Sequence, residues 1–219
     1  MNATGGVPID LILLGMVAAF LVLRLRSILG RRTGFEGTPA ARAQPAGAPV
    51  IEGRAEPVVA VPARTAPDPA STVGQVLSQI GAADRSFTPA HFLQGAEAAF
   101  RMIVQAFAAG DRVALRKLLA DEIYASFEAA ITAREAAGEV QRSEIRAVEQ
   151  VAVTDARLRE GLAEITVRFV SMQVSVVTGR DGLAVSGVDG LTELVDVWTF
   201  ERTPGSAGVA WRLAGAVSG

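Results

Sequence analysis

The apolar positions of this chain change their spacing as the sequence proceeds, and each spacing predicts a different element. Over residues 9–29 they crowd together. Leu11, Ile12, Leu13, Leu14, Val17, Phe20, Leu21, Val22 and Leu23 surround a helix on every side, with no charge between positions 11 and 23. A hydrocarbon core about 30 Å thick calls for roughly 20 helical residues at about 1.5 Å each, so the segment predicts a single transmembrane anchor. Leu11, Leu14, Phe20 and Leu23 form its body, Asp10 sits at one interface, and Arg24 and Arg26 extend their heads to the other. An in-plane helix needs a polar face, and a cleaved signal needs a basic leader and an Ala-x-Ala-like site beside the run; neither pattern is present. Arg24, Arg26, Arg31 and Arg32 follow the span and no basic residue precedes it, which places the N-terminus outside and the rest of the chain in the cytoplasm.

Residues 33–71 lose all periodicity. Prolines interleave with alanine and glycine, and large apolar side chains are too few to build a core, so the stretch predicts an extended, disordered linker. A coil of about 40 residues averages roughly 35 Å end to end. Val50, Ile51, Val58, Val59 and Val61 offer the alternative of a short docking segment for a partner, against which the plain linker is the expected reading. Helical spacing then appears in residues 72–86, where Val73, Val76, Leu77 and Ile80 share one face ahead of Gly81. This short amphipathic helix is expected to pack on the domain that follows.

That domain, residues 87–219, opens with Thr88 as an N-cap and Pro89 at the first helical position. Phe92, Leu93, Ala96, Phe100, Ile103, Val104 and Phe107 keep one stripe up to Gly110. A second helix after Asp111 carries Val113, Leu115, Leu118 and Leu119. A third, capped by Asp121, turns Ile123, Phe127, Ala130 and Ile131 inward and ends at Gly138. From Ser143 the period becomes two. Ile145, Ala147, Glu149, Val151 and Val153 take one side of the first strand. In a long strand over residues 163–178, Ile165, Val167 and Phe169 take one face and Val170, Met172, Val174 and Val176 the other, a length that requires a bent or twisted sheet. Further strands are expected over residues 191–202 and 209–217. Helices followed by an antiparallel meander make an α+β domain with the helices on one face of the sheet.

Composition narrows the function classes. A net charge of −2 argues against nucleic-acid binding, and the absence of cysteine removes disulfides, iron–sulfur clusters, thiolate zinc sites and cysteine nucleophiles.

The run FLQGAEAAFRMIVQAFAAGDRVALRKLLADEIYASFEAAITAREAAG, followed by TVRFVS, VDVWTFER and the late Trp211, resembles the Tim44-like domain. That family comprises the mitochondrial inner-membrane import-motor scaffold and bacterial membrane-anchored relatives; the resemblance spans about residues 89–213, and the anchor with its arginine flank is similar to the bacterial members. It implies a cone-shaped fold similar to nuclear transport factor 2, with three helices on a bent antiparallel sheet and an apolar cleft between them. It also implies residence at the bacterial inner membrane, and a protein partner such as a translocase, chaperone or membrane-complex subunit in addition to membrane lipid. Mitochondrial members bind anionic lipid and recruit a seventy-kilodalton chaperone. Their long chaperone-tethering half has no counterpart here, and the loop before Trp211 is shorter than in the family.

Chemistry-bearing constellations are sparse. His91 is the only histidine and lies in the first turn of a helix, which suits a capping or solvated role. Cone folds of this type host isomerases and dehydratases, for which Tyr124 with Asp196 and Glu193 is the one imitation available; a rim tyrosine and a carboxylate paired with an arginine such as Arg168 is the plainer reading. The glycines between 179 and 190 match no phosphate loop and join two strands. No catalytic residue, metal or cofactor is therefore expected, and no oligomeric state follows from the pattern. Apolar and aromatic residues remain. Phe107, Met172, Trp198, Phe100 and Trp211 are the candidates for a groove that holds a partner or lipid, with Met172 and Trp198 foremost. The expected function is a membrane-tethered, non-enzymatic scaffold that assists protein translocation, insertion or membrane-complex assembly. The alternative is a lipid- or small-molecule-binding cone with weak isomerase- or dehydratase-type activity.

Overall fold

A computed structural model describes residues 63–206 and 210–218. The anchor expected over residues 9–29, its arginine flank and most of the 33–71 linker lie outside the described residues. Among the described residues no helix is long and apolar enough to cross a membrane. The elements run in the order β1 (Ala63–Thr65), α1 (Thr72–Ala83), α2 (Pro89–Ala109), α3 (Arg112–Leu118), α4 (Asp121–Ala137), β2 (Val140–Arg159), β3 (Leu162–Thr178), β4 (Ala184–Arg202) and β5 (Arg212–Ser218).

Helix boundaries follow local chemistry. The Ser71 side chain accepts from the Gly74 amide, Thr88 from His91 and Asp111 from Ala114, so each supplies an acceptor to an amide that the first turn leaves unpaired. Gly110 and Gly138 close α2 and α4 at φ 71°, a left-handed cap that a side chain disfavours. Helix α4 departs from expectation. Its N-cap is Ala120, which makes no side-chain cap bond, and Asp121 is the first helical residue. The sheet does the capping residue's work of fixing the chain there, because the Ala120 amide donates to the Leu213 carbonyl at 2.8 Å.

The sheet has five strands in the order β1-β2-β3-β4-β5. Strands β2 to β5 form the antiparallel meander that the period-two segments predicted, and the whole is α+β. β1 is an addition. Ala63, Arg64 and Thr65, assigned to the linker from sequence, pair in parallel with Gln150, Val151 and Ala152. The strand buries nothing, so no apolar alternation could announce it. It is held by backbone pairing and by Arg64, which reaches Glu97 of α2.

Two face assignments are corrected by bulges. β2 shifts register against β3 at three places, after Ile145, Val148 and Val153. Each extra residue reverses which side chains face the helices. Val148, Val151, Val153 and Ala156 are consequently the buried set, and Ala147 and Glu149 are not. In β3 the buried alternation of Ile165, Val167 and Phe169 continues through Ser171 and Gln173; it changes only beyond Gln173, where β4 bulges.

The core lies between the helical layer and one face of the sheet. Leu77 and Ile80 of α1 join it, so that helix packs on the domain. Phe100 stacks on Phe169 with centroids 4.4 Å apart and planes 6° from parallel, and Trp198 meets Phe100 edge-on at 4.8 Å. Rings of this size each contribute about 2–3 kcal/mol on burial, which makes the trio the centre of the fold.

Candidate binding cleft

The Thr88 cap and Pro89 set the phase of α2. With that phase fixed, Phe92, Leu93, Phe100 and Ile103 turn into the core, and His91, Gly95 and Met102 fall on the adjoining outer side. Opposite them stand Trp211, which immediately precedes β5, and the end of β4. Between the two lies an open cavity of about 310 Å³. Its walls are apolar for most of their extent, with Phe87, Phe92, Leu118, Phe200 and Trp211 contributing. Trp211 meets Phe92 edge-on at 4.9 Å and Phe87 at 5.9 Å, so the indole is braced as a wall. Met102 is 48 % exposed at the mouth. A Cβ built on Gly95 meets nothing within 4 Å, which leaves the helix backbone itself accessible along this stretch.

One end of the cleft is polar. Arg202 pairs with the buried Asp84 at 3.0 Å. Asp84 also accepts from the Ser86 hydroxyl at 2.6 Å and the Ser86 amide at 2.9 Å. These two hydrogen bonds, more than the neighbouring guanidinium, hold its carboxyl below the usual aspartate range against the opposing effect of burial. Arg202 and Ser86 both line the cavity, and the Arg202 Nε is buried without a hydrogen-bond partner.

A smaller cavity of about 170 Å³ lies under α1 between Pro67, Pro69, Leu77 and Pro89, and it shares Phe87 and Thr88 with the larger one. Gly74 permits its shape, since a Cβ there would stand 2.1 Å from the Asp68 carbonyl oxygen.

Of the five groove residues expected from sequence, only Trp211 lines the cleft. Phe100 and Trp198 are core residues, 0 % and 3 % exposed. Phe107 packs on Phe127 at 5.0 Å toward the far end of α2, with the Arg134 guanidinium 5.2 Å from its ring. Met172 pairs with Ala147 and Glu193 on the face of the sheet turned away from Phe169. The cleft residues missed, Phe87, Phe92, Gly95, Met102, Leu118 and Arg202, left two signals: a glycine inside a long helix and a methionine outside its apolar stripe.

The possible enzymatic set does not converge. Tyr124 donates to Glu128 at 3.2 Å under the Arg116 guanidinium. Asp196 is buried beside Phe169, whereas Glu193, three residues away in the strand, is exposed on the opposite face. Arg168 donates to Gln150 at 2.7 Å. Among the described residues no group of three His, Cys, Asp or Glu could hold a metal ion. The arrangement can enclose an apolar group and orient a polar one against Arg202.

No curated protein matches the chain. Among solved structures, the intermembrane-space region of the chloroplast protein ARC6 is similar at a TM-score of 0.40 and 8 % identity, covering 55 % of this chain and 88 % of that one. A conserved protein from Planctomyces limnophilus is similar at a TM-score of 0.33 and 17 % identity, covering 57 % and 91 %. The Tim44-like domain profile matches residues 73–218, a span that takes in α1 through β5, and the chain therefore belongs to the Tim44-like domain family.

Proposed function

We propose that this protein is a membrane-tethered, non-enzymatic binding module of the bacterial inner membrane, with its domain in the cytoplasm, which holds an apolar segment of a partner during protein translocation, insertion or membrane-complex assembly. The observation that carries the reading is the cleft: an open apolar cavity of about 310 Å³ walled by aromatics and a methionine. Family membership agrees with it, since Tim44-like proteins are often membrane-associated scaffolds. The apolar run over residues 9–29, followed by arginines, supplies the tether. A cleft of this composition gains affinity by removing apolar surface from water, about 25 cal/mol per Å², and needs few polar contacts to set orientation.

The test is site-specific crosslinking in native membranes. A photoreactive side chain replaces Met102 at the cleft mouth, with the exposed Val113 as control. Recovery of translocase, insertion-machinery or chaperone subunits from position 102 and not from 113 is the expected outcome. Crosslinks to lipid alone would overturn the partner reading in favour of a lipid-binding cone.

A further inference from the structure

The cleft and the smaller cavity under α1 are divided by a single residue. Phe87 and Thr88 line both. Thr88 is exposed at the rim between them, and Phe87 is buried beneath it. The Phe87 partition is held from several sides. Its amide donates to the Asp84 carbonyl at 3.0 Å, and Asp84 is itself fixed by Ser86 and Arg202. Its ring meets Phe92 at 6.0 Å and Trp211 at 5.9 Å. On the α1 side stands Gly81, where an added Cβ would lie 3.8 Å from the edge of the ring.

The compartment under α1 has the chemistry of an apolar pocket. Pro67, Pro69, Leu77, Phe87 and Pro89 supply most of its walls, and its volume is about 170 Å³. An apolar cavity of about 150 Å³ stays dry and admits a benzene-sized guest. Its hydroxyls are already engaged: Ser78 donates to the Gly74 carbonyl at 2.9 Å, and the Thr88 oxygen accepts from the His91 amide. At the cleft side Ser86 likewise donates to Asp84. Walls of this kind offer little to the backbone amides and carbonyls of an extended guest, whereas a helix satisfies its own.

We infer that the compartment under α1 is a second subsite of the cleft and that Phe87 is the residue that sets the spacing of its ligand. The inference rests on the reading of the cleft as the holder of a partner's apolar segment. The segment is helical and carries two large apolar side chains at positions i and i+4, one entering the cleft and the other the compartment, astride Phe87. Side chains so spaced have Cβ atoms about 5–6 Å apart, the right order to straddle one side chain. Selectivity comes from the pair, because the cleft alone accepts any single apolar group that fits.

The test uses the ¹⁵N-labelled full chain in phosphatidylcholine nanodiscs, with amide shifts as the readout. The probes are two end-blocked, alanine-rich helical peptides, one with a single phenylalanine and one with phenylalanines at i and i+4. The single-ring peptide should shift the amides of Gly95 and Ala99 in the cleft. The two-ring peptide should bind about tenfold tighter and shift Gly74 and Gly81 as well. Gly81→Leu, which fills the compartment, should remove the tenfold advantage and leave the single-ring affinity unchanged. Ser78→Leu, from an exposed position on the compartment's rim, is a second filler with the same expected effect. Equal affinity of the two peptides for the parent chain, or an advantage that survives both fillers, overturns the subsite while the cleft reading stands. Absence of shifts at Gly95 and Ala99 with either peptide overturns the cleft reading and the subsite with it.

Discussion

Arg64 of the edge strand β1 places its Nη2 2.8 Å from Oε2 of Glu97 in the middle of α2. Glu97 also accepts from Arg101, one turn further along, through its other oxygen. A carboxylate on the inner side of α2 is thus satisfied from both directions, and the three-residue β1 is clasped to the helical layer as well as to β2. Arg64→Ala should cost about 1 kcal/mol, at the upper end for a partly exposed pair, since Arg101 still compensates the glutamate. The more specific readout is hydrogen exchange. Amides of residues 63–65 and their partners at 150–152 should lose protection and the remaining sheet should keep it.

Replacement of Gly95 by leucine should close the cleft without harming the fold. Space is open around that position, and loss of a mid-helix glycine is worth about 0.5–1 kcal/mol in helix stability. Thermal denaturation should show an unchanged or raised Tm, and crosslinking from position 102 should fall to the level of the control. A Tm decrease would mean that the leucine meets a wall the cleft geometry does not contain.

Trp198 and Trp211 should separate core from cleft. Trp198→Ala removes a ring packed on Phe100, Phe169 and Phe200, at a cost of about 3–5 kcal/mol and a Tm lower by about 10 °C. Trp211→Ala, from a half-buried wall position, should lower Tm less and reduce partner crosslinking more. Parallel effects of the two substitutions on both readouts would contradict the division.

Asp84 should shape the acid limb of stability. Its folded pKa lies below the unfolded value of about 3.9, so its contribution is complete above roughly pH 5 and is lost as the pH falls through the lowered native value. The Tm difference between the parent and Asp84→Asn should be largest near neutral pH and shrink below about pH 4. A difference that is constant across this range would show that the carboxylate's charge is not what the site uses.

Gly74→Ala should destabilise α1 despite alanine's better helix propensity, because the new methyl would stand 2.1 Å from the Asp68 carbonyl oxygen, a backbone atom that cannot rotate aside. Lower Tm together with faster exchange in residues 72–83 is the expected result.

Much of the fold was legible because local chemistry announces it. Thr88, Pro89, Gly110 and Gly138 mark helix ends by what their own atoms can do, and the aromatic stripe of α2 states which side is buried. The face of β2 was not legible. Its three register shifts are settled by the partner strand, and each reverses the meaning of the alternation. The groove residues were misplaced for a related reason: apolar side chains look alike in sequence whether they fill a core, as Trp198 does, or wall a cavity, as Trp211 does.

By itself the sequence determined the α+β order of elements, the phase of each helix and the family, since these rest on periodicities and caps that act within a few residues. It determined equally that an apolar run with an arginine flank precedes the domain. Only the tertiary structure decided that Arg64 recruits a strand from the linker and that Gly95 and Met102 face Trp211 across an unfilled space. Those outcomes depend on how far apart packed elements come to rest. Distances of that kind are fixed by side chains remote in sequence, and no local pattern carries them.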